Sequence, residues 1–293
     1  LMTAGFVPPQ LALAMVHHLT FEAALITSVV SLIFSIISLE GCGGGGSSPP
    51  PAPPSPEKVQ VEFWVESGSP KSQLFVFGPL KKAVASPGIE NIMNVSMYSF
   101  GNAYYETEKD ICGTPDIKDY SWGPWPNGYN DSYRDCWDKQ CGRGSTEPLA
   151  PGAGCFVSGP YCQNGASGCT VNLLQMCAKR YQPSFLEYVP FALCMETNYR
   201  SILGSVKSGT TPNMSFLTSV VKQCVKGTQL DASQVLDCFD TDVYHTVMKD
   251  TAMQTVDHTQ TPWVLITNKT GAPMVFTGDF TDNDFLLKVV CKA

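Results

Sequence analysis

From Val59 to Glu66 the chain alternates, with Val59, Val61, Phe63 and Val65 set against Gln60, Glu62, Trp64 and Glu66. A period of two predicts a half-buried β-strand. Ser69-Pro70 then opens a helix, because Ser suits the N-cap and Pro the first helical position. Leu74, Phe77 and Leu80 carry that helix to about Ala85, across a Gly78-Pro79 step that helices tolerate poorly. Ser86-Pro87-Gly88 is a turn. Ile89 to Phe100 forms a second strand, followed by Gly101-Asn102-Ala103. Helical patterns dominate from Val171 to Cys224. Asp231-Ala232-Ser233-Gln234 is a capping-box-like start, and Val235, Leu236, Phe239, Val243 and Val247 recur at helical spacing as a core-facing stripe. Thr261 to Ile266 is a turn into a strand, Met274 to Phe276 completes a hairpin, and Thr281 to Val290 is a last helix. The sum is an α/β domain over residues 58–293.

Two stretches break this pattern. Residues 101–161 are aromatic and rich in Gly and Pro, with little periodicity and with the run Tyr120 to Pro126. A loop of this length in a compact domain is functional or disordered as a rule, but its cysteines argue for a stapled structure. Two readings stand level: exposed aromatics forming a binding surface, or a local miniature core. The other stretch is the N-terminus. Residues 23–39 are apolar or hydroxyl-bearing and uncharged, and at 1.5 Å per residue they span roughly 26 Å, near the thickness of a bilayer core. The run is longer than the apolar part of a typical signal peptide, so residues 1–40 are expected to form a single transmembrane anchor, in contact with membrane lipid. Residues 41–57 are a linker, flexible in its Gly half and extended in its Pro half. No Lys or Arg precedes Lys58, so the positive-inside rule gives no orientation.

Charge and cysteine content narrow the classes. The formal net charge is −7 with only 19 Lys and Arg, which disfavours nucleic acid as a partner. Twelve cysteines stand at 42, 112, 136, 141, 155, 162, 169, 177, 194, 224, 238 and 291. That spread predicts a disulfide framework on an oxidising side of a membrane: extracellular, lumenal, or an organellar lumen or intermembrane space. Sequons at Asn94, Asn130, Asn213 and Asn268 agree with a secretory route. Zinc is disfavoured, since no C-x-x-C occurs and the nearest pair is Cys136-x4-Cys141. No metal or cofactor is expected. The structural disulfide candidates are Cys112, Cys136, Cys141, Cys155, Cys162, Cys169, Cys177, Cys194, Cys224 and Cys238. Cys291 is the candidate left over, and Cys42 is open to lipidation, interchain pairing or a free state.

Residues 162–177 read CQNGASGCTVNLLQMC. Cys162, Gln163, Gly165, Cys169, Asn172 and Cys177 stand at the spacing of a known signature, and the segment resembles the gamma-interferon-inducible lysosomal thiol reductase (GILT) family. Asn164 and Gly168 depart from it, replacing a His and a Glu. Gly101-Asn102-Ala103, Phe191 to Glu196 and Pro262-Trp263-Val264 extend the resemblance. It implies a thioredoxin-like fold with a helical insertion, interrupted by the disulfide-rich loop 101–161 and preceded here by the transmembrane helix. It also implies a cis bond at Pro262 and a catalytic cysteine just after the first strand. The corresponding positions are Ser69 and Ser72.

Disulfide exchange needs a thiolate, and neither serine supplies one. Three readings follow: a redox-inactive scaffold, a reductase using another cysteine pair, or a serine hydrolase built from Ser69 with His245 or His258. The hydrolase lacks a G-x-S-x-G around Ser69, and the second reading lacks a C-x-x-C. The first is favoured: no catalytic residues, and an accessory or binding role within a membrane complex whose other subunits meet the anchor and the 101–161 loop. Thiol–disulfide oxidoreductase activity is the alternative.

Overall fold

A computed structural model of the protein describes residues 58–114, 130–141, 154–205, 213–268, 271–276 and 278–292. The anchor, the linker, Cys42 and the run Tyr120 to Pro126 lie outside these residues. No helix among the described residues is long and apolar enough to cross a membrane.

The alternating segment forms β1 (Val59–Val65). Ser69 caps α1 (Pro70–Phe75), its side chain accepting from the Ser72 amide. The helix absorbs Gly78-Pro79 in a π-turn, Val76–Leu80, and resumes as α2 (Lys81–Val84). The widened turn accommodates a proline whose missing N–H would break a regular ladder. The second strand starts later than the apolar pattern suggests. Gly88 at φ +76° leads into a short 3-10 turn, Ile89–Asn91, and β2 runs Met93–Ser99.

Strand β1 pairs parallel with β2 and antiparallel with β5 (Trp263–Thr267), which pairs antiparallel with β6 (Pro273–Phe276). The order is β2-β1-β5-β6, and the Thr261–Pro262 bond ahead of β5 is cis. A β-α-β half joined to an antiparallel hairpin with a closing helix is the thioredoxin-like arrangement. That closing helix (Phe285–Val290) starts four residues after the expected Thr281, because the side chains of Asp279 and Asp282 cap local turns at Thr281 and Asp284.

Between the halves the stretch 101–161 holds β3 (Tyr104–Tyr105), α3 (Lys109–Cys112), α4 (Asp131–Gln140) and β4 (Pro160–Tyr161). Its described aromatics face inward. Tyr104, Tyr105, Tyr133, Trp137 and Tyr161 are buried. Tyr104 stacks on Tyr161, and the Trp137 indole donates to the Cys155 carbonyl at 3.0 Å. Disulfides Cys112–Cys136 and Cys141–Cys155 close this miniature core. Of the two readings of the loop, its described part follows the inward one.

The helical insertion is α5 (Gly165–Tyr181), α6 (Phe185–Ser205), α7 (Met214–Cys224), α8 (Ala232–Asp240) and α9 (Val243–Met253). Helix α5 is buried from Ala166 to Ala178, with α6, α8 and α9 packed around it. Cys177–Cys238 staples α5 to α8, and Cys194–Cys224 staples α6 to α7. With Cys162–Cys169 the ten candidate cysteines make five disulfides, while Cys291 is free and exposed. Five disulfides fit an oxidising, extracytoplasmic environment.

Candidate functional site

The site lies at the C-terminal end of β1. Trp64 pairs with Trp263, so Val65 and the cis Pro262 occupy the same end of the sheet. The chain leaves β1 through Glu66-Ser67-Gly68 and enters α1 at Ser69. Gly68 holds φ +81°, and a Cβ there would overlap the Tyr199 ring, so the turn admits glycine for two reasons.

Ser69 is half-buried and occupies the N-cap. Its oxygen accepts the Ser72 amide at 3.4 Å. Ser72 is buried, and its hydroxyl accepts the Glu66 amide at 3.4 Å. Both hydroxyls therefore serve the backbone of the turn. A hydroxyl at a helix N-terminus remains protonated near neutral pH, whereas a thiol in the same field becomes a thiolate. Among the described residues every cysteine but Cys291 is in a disulfide, and Cys291 sits beyond the closing helix.

The signature residues hold this turn from behind. Asn172 accepts the Ser67 amide at 2.8 Å and directs its own amide toward the Cys162 sulfur. Glu196, buried on α6, accepts from the Gly68 amide at 3.3 Å, the Gln73 side chain at 3.2 Å and the Gln175 side chain at 3.0 Å. Gln175 in turn accepts the Ser99 hydroxyl at 2.6 Å. Gln163 accepts from the Asn102 side chain. Gly165 starts α5 at φ +71°. The two departures from the signature lie against each other, since a Cβ on Gly168 would stand 3.1 Å from that of Asn164.

The sequence marks Glu66 only in the β1 alternation and Glu196 only as the end of the stretch from Phe191, and neither as a site residue. Glu66 falls on the polar phase of β1 and was expected outside. It is fully buried, as is Trp64, because loops and the helical insertion cover the end of that face. Its carboxylate accepts the Asn164 amide at 3.1 Å and the Asn102 amide at 3.2 Å. Burial raises its pKa from 4.5 to about 7, against the lowering effect of those amides and of Arg134. No sequence pattern marks a carboxylate that links three loops.

The histidines are not gathered at Ser69. His245 is exposed on α9 beside Tyr244. His258 is buried, with ring nitrogens 2.8 Å from the Val256 carbonyl and 3.1 Å from Asn102 Oδ1. No Ser–His–Asp geometry forms around Ser69 among the described residues.

A groove of about 550 Å³ runs beside α1, lined in part by Pro70, Leu74, Phe77 and Phe280. Leu74 and Phe77 are 51% and 37% exposed, so the surface next to Ser69 is apolar and open.

The family model for Gamma interferon inducible lysosomal thiol reductase (GILT) matches residues 156–228. Over that segment the chain is similar to the GILT family. No curated protein matches it. Two of the solved structures to which the chain is similar are the following. One, titled "Crystal structure of a putative protein disulfide isomerase from Nitrosomonas europaea", is 10% identical with TM-score 0.41, covering 80% of this chain and 98% of that one. The oxidoreductase NmDsbA1 from N. meningitidis is 11% identical with TM-score 0.37, covering 84% and 88%. The GILT match begins after the turn at Ser69, so it spans the signature and α5 to α7 but not the nucleophile position.

Proposed function

We propose that this chain is a redox-inactive GILT-like domain, anchored in a membrane by residues 1–40, that serves as an accessory or binding subunit of a membrane assembly. The observation that carries this reading is Ser69. It stands at the N-cap where the GILT resemblance places the nucleophile, and its hydroxyl is engaged with the backbone. The scaffold behind it is in place: the Asn172 contact and the Glu196 network hold the turn. The open apolar surface of Leu74 and Phe77 suits a domain that binds beside a disused centre.

An insulin disulfide-reduction assay at acidic and neutral pH tests it, comparing the chain with Ser69→Cys. The native chain is expected to be inactive, while the variant gains activity from a thiol at a helix N-terminus. Reduction of insulin by the native chain would instead establish the oxidoreductase alternative. The assembly role is tested by extracting the full chain in mild detergent. Co-migration with defined partner chains is expected, and migration as a single chain overturns it.

A further inference from the structure

A second cavity, about 170 Å³, lies away from Ser69 between the end of α5, strand β2 and helix α9. We propose that it is a carbonyl-capture site, in which the Lys179 amine condenses with a small aldehyde acid whose carboxylate pairs with Arg180.

Lys179 and Arg180 are consecutive in the last turn of α5, and both line the cavity with Tyr98, Asp250, Thr251 and Gln254. Lys179 is held from two sides. Its Nζ donates to the Met97 carbonyl at 2.9 Å and lies 4.0 Å from the centre of the Tyr98 ring. The ring is fixed in its turn by stacking on Trp64 at 5.1 Å. A neutral amine has two N–H bonds and one lone pair. The carbonyl and the ring face take up two directions, and the third remains for an electrophile in the cavity.

Burial disfavours the ammonium and lowers the Lys179 pKa to about 8, against the opposing field of Glu62. The charged and titratable groups around it are Glu62 on β1, Tyr98 on β2, Asp250 on α9 and its neighbour Arg180. A desolvated lysine of this kind forms Schiff bases. The lone pair attacks the carbonyl carbon to give a carbinolamine. Loss of water gives the imine, so that amine and aldehyde become imine and water with no change in oxidation state. Asp250 supplies a carboxylate that can carry the proton from nitrogen to the departing oxygen. The cavity volume limits the ligand to a few heavy atoms, and the guanidinium favours a carboxylate on it.

The test uses the full chain, glyoxylate, and cyanoborohydride to trap the imine, with occupancy of each lysine read by peptide mass spectrometry. Lys179 is expected to label about tenfold faster than the exposed Lys71, Lys81 and Lys222, with its rate rising to a plateau around pH 8. Arg180→Gln should lower glyoxylate labelling several-fold while leaving labelling by propionaldehyde, which lacks a carboxylate, unchanged. Labelling of Lys179 no faster than the exposed lysines overturns the site. An unchanged glyoxylate-to-propionaldehyde ratio in Arg180→Gln overturns the acid specificity. Neither result bears on the redox reading of Ser69.

Discussion

Glu66 sets a pH dependence that the rest of the turn inherits. Its pKa is raised from 4.5 to about 7 by burial. Between those values the folded chain holds a proton that the unfolded chain has released. Its contribution to stability is then fullest in acid, falls as pH rises through this window, and levels off above about 7. The whole effect amounts to about 3 kcal/mol, at about 1.4 kcal/mol for each unit of pKa. Urea unfolding of Glu66→Gln at pH 5 and pH 8 is expected to show most of this difference removed. A slope equal to that of the native chain would place the titration elsewhere. Ser69 and Ser72 tie the same turn to α1 through their hydroxyls. The two serines therefore stabilise the turn that leads from β1 into α1.

At the scale of elements, the disulfides differ in the length of chain they close. Cys177–Cys238 spans 61 residues and Cys162–Cys169 spans seven. All four sulfurs belong to buried residues, so losses of packing are comparable and loop entropy decides. Replacing Cys177 and Cys238 together by Ala should cost about 4 kcal/mol, and the Cys162 and Cys169 pair about 2 kcal/mol. Guanidinium midpoints of the two double variants check the order. Much of this layer was legible in the sequence. The alternation over Val59–Val65 and the Ser69-Pro70 start located β1 and α1, because period and capping chemistry are local. Legibility stopped where tertiary contacts override local pattern. Trp64 and Glu66 lie on the polar phase of β1 and are buried by segments distant in sequence. The aromatics of 101–161 gave no period, since α4 and the short strands assemble their core through disulfides rather than through a repeating face. At the site, Ser69 at the helix start could be read from the sequence alone. The Glu196 network could not, because its partners come from α1, α5 and the β1–α1 turn.

At the scale of the molecule, the helical insertion divides the thioredoxin-like halves and supplies the back wall of the site through Asn172 and Glu196. The pattern of pairing across the described chain also has an order in time. Cysteines emerge during synthesis as 112, 136, 141, 155, 162 and 169, and each of the first three bridges joins the next two to appear. From Cys177 onward the rule changes, for the Cys194–Cys224 bridge is nested inside Cys177–Cys238. A chain that kept pairing neighbours would join Cys177 to Cys194 and Cys224 to Cys238. Disulfide mapping during refolding of the reduced chain should find these two pairs as the trapped species, cleared when a disulfide isomerase is added. Native pairing with no such species would show that α5 and α8 meet before oxidation. Trapped pairs of that kind would make the last two bridges depend on the shuffling chemistry of another protein.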